Sequence, residues 1–215
     1  MLLVTPPFKE YHFIDLDKGS IDALRMQVEQ RTDGPYDRES VHFYNADCNK
    51  VLLTTVFPRI HFEDYARGLC LLDPYGLDLS WDVIRTAGEM KSMEIFLNFP
   101  IMDMNRNVLW RDPQRVDMKQ SERLSRFWGD ASWRDAAYSR DQNLFGFEEK
   151  TTNDAVVQAF RNRLINVAGF SYVPQPIPMR NTKGATVYYL FFASPKPVAA
   201  KIVSNIFDKY RSRRS

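Results

Sequence analysis

Apolar and polar positions along the chain switch repeatedly between a strand period and a helix period. Tyr11-His12-Phe13-Ile14-Asp15-Leu16 is a short apolar and aromatic run that predicts a buried strand ending in an acid. From Lys18 to Arg31, Ile21, Leu24, Met26 and Val28 recur on a roughly helical period, and Thr32-Asp33-Gly34-Pro35 stops it with turn residues. Val41-His42-Phe43-Tyr44 predicts a second strand, broken at Asn45-Ala46-Asp47-Cys48-Asn49. Residues 49–66 read as partly helical, with Pro58 forcing a boundary. Gly68-Leu69-Cys70-Leu71-Leu72-Asp73 is the cleanest candidate for a buried strand, and Asp73-Pro74-Tyr75-Gly76 ends it. Ser80 predicts an N-cap for a helix over Trp81–Met90, and Met93–Phe99 predicts a strand terminated by Pro100.

From 101 to about 150 the pattern becomes charged, helical and Trp-bearing. Thr152 then caps a long amphipathic helix whose Val156, Val157, Phe160, Leu164, Ile165 and Val167 face a core, with Gly169 at its end. Strands are expected at Phe170–Pro174 and Thr186–Ala193, separated by a Pro-rich arm, and a last helix at Pro197–Tyr210 before a basic tail. Alternation of this kind predicts an α/β fold: one domain with a mostly parallel sheet covered by helices, an antiparallel strand at its closing edge, and a helical insert over about 101–150.

Composition narrows the chemistry. Within 215 residues the nine glycines are scattered, so there is no G-x-G-x-x-G dinucleotide loop, P-loop or G-x-S-x-G elbow. Lys plus Arg is 29 against 27 Asp plus Glu, a formal charge of +2 that does not advertise nucleic acid. Cys48 and Cys70 form no C-x-x-C, and Cys70 inside an apolar run predicts a buried thiol rather than a disulfide. His12, His42 and His61 show no metal-ligand spacing, so no metal is expected. Met1-Leu2-Leu3-Val4-Thr5-Pro6-Pro7 lacks a basic n-region, and no apolar run is long enough to span a bilayer, so a cytoplasmic protein is expected.

In an open parallel sheet, ligands bind beyond the carboxyl ends of the strands. Asp15, Asp47 and Asp73 each end a strand or stand just past one. As turn or cap residues they carry no chemistry. Taken together they suit a nucleoside: one carboxylate accepts both ribose hydroxyls, another an adenine amino hydrogen, and the third faces the reacting group. Asp73-Pro74-Tyr75 combines an acceptor, a rigid turn and a flat ring, which can hold a planar amine before a methyl donor or can simply be a turn with a packed tyrosine.

Phe8-x-x-Tyr11-x-Phe13-Ile14-Asp15, Asn45-Ala46-Asp47-Cys48-Asn49, Leu71-Leu72-Asp73-Pro74-Tyr75-Gly76-Leu77 with Trp81, Met104-Asn105-Arg106-Asn107, Phe127-Trp128-Gly129 with Trp133, Ala168-Gly169-Phe170 and Tyr188-Tyr189-Leu190-Phe191-Phe192-Ala193-Ser194 occur in this order. Over nearly the whole chain they resemble the three-Cys-motif partner family, bacterial proteins related to class I S-adenosylmethionine-dependent methyltransferases. The resemblance implies a Rossmann-like methyltransferase sheet with an antiparallel last strand. It implies that Asp15 holds the cofactor ribose and that Asp47, with Cys48 beside it, lies near the adenine. Asp73, Pro74 and Tyr75 would form the catalytic face, similar to the D/N-P-P-Y/F of amino-methyltransferases but with Tyr75 where a second proline is usual. The implied cofactor is S-adenosylmethionine. The implied partner is a neighbouring-gene three-Cys-motif protein; the methyl acceptor stays unassigned, a nucleobase or nucleic acid being one candidate.

The resemblance also implies an earlier, central strand and a Phe-Ala-Gly-Pro-Gly-like loop, neither of which this sequence contains. Either the remaining strands close up, or Met1–Val4 substitutes, or the domain is truncated; truncation is the expectation. Two other functions stay open. One is a non-catalytic interaction module on a degenerate methyltransferase scaffold. The other is a metal-dependent nuclease using Glu89-Met90-Lys91, although that E-x-K falls at a helix end, where Lys91 simply suits the dipole. The insert's Arg106, Arg111, Arg115, Lys119, Arg123 and Arg126, interleaved with aromatics, could track a nucleic-acid backbone, or form a solvated face with Asp103, Asp112, Asp117 and Glu122 while Trp128 and Trp133 pack inside.

Overall fold

The computed structural model describes residues 4–32, 34–142 and 148–212. Met1–Leu3, Asp33 of the first turn, part of the insert, and Arg213 and Arg214 of the basic tail lie outside the described residues. The chain divides into two compact units, Met1–Arg59 and Ile60–Ser215.

The first unit is a β-α-β crossover. Strand β1 (Tyr11–Asp15) pairs in parallel with β2 (Val41–Asn45), placing His12 opposite His42 and Phe13 opposite Phe43. Between them, helix α1 (Lys18–Gln30) starts at Asp17, whose carboxylate accepts the Ser20 N–H at 2.8 Å. Because strand side chains alternate, Tyr11, Phe13, Val41 and Phe43 share one face, where they pack with Leu24 and Val28 of α1 and with Tyr36. His12, His42 and Tyr44 take the other face. After β2, Asp47 caps a short helix α2 (Cys48–Val51), which widens into a π turn at Leu52–Val56 and tightens to a 3₁₀ turn at Phe57–Arg59. The widening comes just before Pro58, which has no N–H to continue an α-helical ladder.

The second unit runs β3 (Gly68–Leu72), α3 (Trp81–Glu89), β4 (Met93–Phe99), α4 (Ile101–Asn107), α5 (Met118–Trp128), α6 (Trp133–Ala137), the hairpin β5 (Tyr138–Gln142) and β6 (Glu148–Lys150), α7 (Asn153–Asn166), β7 (Ile177–Arg180), β8 (Thr186–Ala193) and α8 (Pro197–Ser212). Ser80 and Thr152 cap α3 and α7 as the sequence predicts, and α5 stops at Gly129 with φ of +104°. The main sheet has the order β3-β4-β8-β7; β3 and β4 are parallel, while β8 runs antiparallel to both neighbours. On one face Phe99, Phe127, Phe160 and Phe191 build an aromatic core, with Phe99 and Phe160 centroids 4.6 Å apart. On the other, Phe192 and Ile177 pack with Ala200, Val203 and Phe207 of α8.

The fold is therefore α/β, but three of the five strand pairings among the described residues are antiparallel, so the sheet is mixed rather than mostly parallel. The insert holds the β5–β6 hairpin besides its helices, and further local expectations need correction. The antiparallel last strand is present, but β8 lies inside its sheet, and β7 is the edge. Phe170–Pro174 supplies only one bridge, Tyr172 to Ser194, and the strand forms instead at Ile177–Arg180 within the Pro-rich arm. Pro178 is compatible with that position because an edge strand does not need every N–H for the ladder. The run Gly68–Leu72 is not buried throughout: β3 ends its sheet, only Leu72 is buried, and Leu71 is 51% exposed. Cys70 is accordingly half-buried, and neither cysteine is in a disulfide. Val167, expected in the core, lies beyond the end of α7 and is exposed. No helix among the described residues is long and apolar enough to cross a membrane.

Candidate functional site

In the first unit the fold gathers three of the residues singled out in the sequence. Asp15 ends β1, Asp47 follows β2, and Cys48 opens α2, all at the carboxyl end of a parallel strand pair. The Ala46 N–H donates to the Asp15 carbonyl at 3.1 Å, and the Asn45 amide donates to the Leu16 carbonyl at 2.7 Å, so the two strand ends are tied together. Asp15 Oδ1 accepts the Asp17 N–H at 2.8 Å, and Asp47 Oδ1 accepts from the backbone and side chain of Asn49 at 2.9 and 3.0 Å. Each carboxylate thus has a local turn or cap role and keeps its second oxygen clear of hydrogen bonds among the described residues. Burial, and after it the Asp47 charge, push the Cys48 thiol up, with a smaller contribution from Asp15. These influences favour the thiol over the nucleophilic thiolate.

In the second unit, Asp73 follows β3, and its Oδ1 accepts from the Asn98 amide of β4 at 2.7 Å. Tyr75 projects outward, 91% exposed, while Leu77 and Leu79 are fully buried and anchor the loop to the unit. Gly76 sits at φ of +58°, and a Cβ there would lie 2.8 Å from Asp103 Oδ2. That oxygen is buried without a hydrogen-bond partner among the described residues, while Asp103 Oδ1 accepts from Asn107 at 2.7 Å. Asp103 is thus a second acid at the Asp73-Pro74-Tyr75-Gly76 turn. Sequence reasoning placed it among the charges of a solvated helix and missed it, because only the loop's return against α4 brings them together.

No known family, curated protein or solved structure matches the chain. Function must rest on the residues themselves. Lys91 follows α3 at φ of +57° and donates through Nζ to the Gly169 carbonyl at 2.6 Å. The Glu89-Met90-Lys91 triplet is therefore a helix terminus with its lysine engaged, not a strand-borne nuclease motif. In the insert, Trp128 and Trp133 are buried and donate to Ser132 and Ser125 at 3.1 and 2.9 Å. Arg115 pairs with Asp112, while Arg123 and Arg126 converge on Asp78. These pairings describe a solvated charged surface over packed tryptophans.

One cluster in the first unit was not anticipated. Glu10, His12 and His42 meet on the face of β1–β2 opposite α1, with one ligand-type atom from each within 4.8 Å of the others. Glu10-x-His12 was visible as an i, i+2 pair for one strand face, but the third member depends on the β1–β2 register.

Proposed function

We propose that the chain is a methyltransferase-like protein of the class that uses S-adenosylmethionine, with its nucleoside-holding residues at Asp15 and Asp47. The observation that carries this reading is the pair of carboxylates at the carboxyl end of the parallel β1–β2 unit, each with one oxygen not hydrogen-bonded among the described residues. The fit to the cofactor is chemical: acceptor-only carboxylates complement the ribose hydroxyls at Asp15 and the adenine amino group at Asp47. Cys48 beside them adds a small, uncharged contact. The antiparallel course of β8 agrees with the sheet that the family resemblance implies.

Within the second unit, Asp73, steadied by Asn98, offers a hydrogen-bond acceptor to a methyl-accepting amine, and Pro74 and Tyr75 share its turn. S-adenosylmethionine supplies an electrophilic methyl group; the chain supplies orientation. The resemblance adds a three-Cys-motif partner; the acceptor stays open, with a nucleobase or nucleic acid as the candidate to test. A second reading, a non-catalytic interaction module on the same scaffold, is favoured by the outward exposure of Tyr75.

Titration calorimetry with S-adenosylmethionine separates the two. Asp15→Asn should weaken binding about tenfold or more, the scale of a hydrogen bond to a charged group. Asp73→Asn should leave cofactor binding intact and abolish methyl transfer to nucleic acid or nucleoside substrates. Absence of cofactor binding by the wild-type chain refutes the methyltransferase reading and leaves the interaction module.

A further inference from the structure

The Glu10, His12 and His42 cluster stands toward the other end of β1 from Asp15, with His12 about 10 Å and Glu10 about 16 Å away along a chain rising about 3.3 Å per residue. It is independent of the methyltransferase reading. Glu10 and His12 are two residues apart and share a face, and His42 lies directly across from His12 in the parallel register. The two imidazoles stack, with centroids 4.9 Å apart and planes 26° from parallel. Glu10 Oε2 is 3.2 Å from His12 Nε2 and 4.0 Å from His42 Nε2. An ion held tetrahedrally at about 2.0–2.1 Å sets its ligands about 3.3 Å apart.

We propose that Glu10 Oε2, His12 Nε2 and His42 Nε2 bind one divalent ion of the zinc class, leaving a coordination position for water. Two imidazoles and one carboxylate suit a borderline transition ion, whereas magnesium and calcium call for oxygen ligands throughout. The surroundings orient the ligands. His12 Nδ1 lies 3.1 Å from the Tyr44 hydroxyl, so with the ion on Nε2 the Nδ1–H donates to Tyr44. The Arg59 guanidinium donates to Glu10 Oε1 at 3.1 Å, directing the other carboxylate oxygen to the ion. The ion bridges the strand pair and stabilises the first unit.

The test uses the full chain, free of any histidine tag and stripped with a chelator. Dialysis against ZnCl₂ should load one zinc per chain at this site and raise Tm, and Co²⁺ should give the visible absorption of a tetrahedral N/O site. His42→Gln and Glu10→Gln should each weaken zinc binding more than tenfold, and His61→Gln, outside the cluster, should leave it unchanged. Tyr44→Phe, which keeps all three ligands, should weaken it about tenfold. Far-UV circular dichroism of every variant without metal must match the wild type, so that lost binding is not lost folding; if a ligand variant fails this, Tyr44→Phe carries the test. No zinc uptake by the wild type, uptake that survives both ligand changes, or loss with His61→Gln overturns the proposal. The cluster is then a hydrogen-bonded polar network only.

Discussion

Gly88→Ala sets two known effects against each other. Gly88 lies inside α3 and is buried, so local propensity alone favours alanine by about 1 kcal/mol. Packing says the opposite. A Cβ at Gly88 would lie 2.0 Å from the Ala168 carbonyl oxygen, 2.8 Å from its carbon and 3.2 Å from Phe170. The first two are backbone atoms of a pinned segment. The Ala168 N–H donates to Arg163, the Phe170 N–H to Leu164, Tyr172 and Ser194 bridge in both directions, and Lys91 holds the Gly169 carbonyl. Overpacking costs about 1–3 kcal/mol, and a neighbour that cannot retreat puts this site at the upper end. The net expectation is destabilisation by about 2 kcal/mol. Urea denaturation of the full chain reads it as a midpoint lowered by about 1 M, given slopes of roughly 1–3 kcal/mol/M. Freeing the segment should relieve the penalty, so Gly88→Ala with Lys91→Met should lose less than the sum of the single changes. A Gly88→Ala midpoint equal to or above the wild type would falsify the claim that the close approach to Ala168 sets the residue.

Other substitutions test different links. Arg163, 11% exposed in its side chain, donates to the Trp128 carbonyl at 2.6 Å, pairs with Asp130 at 2.7 Å and lies 4.8 Å over Trp81. Arg163→Met should cost about 2–3 kcal/mol in chemical denaturation, and a loss under about 0.5 refutes the role. The Tyr189 hydroxyl donates to Asp154 at 2.8 Å, and burial followed by that carboxylate pushes its pKa up to about 12. An unfolded tyrosine ionises near 10 while the folded one holds its proton, so stability should fall as pH rises between those values. Tyr189→Phe should flatten that fall and cost about 1 kcal/mol at neutral pH, measured by urea titrations across the alkaline range. Asp47→Ala should destabilise by about 1 kcal/mol by removing the α2 cap, while Asp47→Asn, an equivalent cap, should stay within about 0.5. Equal losses in both would show that the charge rather than the cap matters.

The most legible elements were those whose burial follows a simple period. β4 alternates buried and half-buried positions from Met93 to Phe99 and stops at Pro100, and Ser80 and Thr152 announce their helices by cap chemistry. β7 was misplaced because Pro178 reads locally as a breaker. Its compatibility depends on an edge position that only the sheet order reveals. The same division holds at the sites. Asp15, Asp47 and Cys48 converge because each closes a strand of one crossover, which is a local rule. His12 and His42 meet only through strand register, and Asp103 reaches Gly76 only through a loop's return, so sequence spacing carried neither.

The two ends of the four-stranded sheet have different consequences for association. β7 carries Pro178 and an irregularity between Met179 and Arg180, so its ladder is interrupted and its strand kinked. β3, Gly-Leu-Cys-Leu-Leu at the opposite end, has neither a proline nor a charge within the strand, and its register with β4 is unbroken. Growth of this sheet by a further strand is therefore polar in the crystallographer's sense. Within this four-stranded sheet the interrupted β7 is the poorer template for an added strand and the regular β3 the better one.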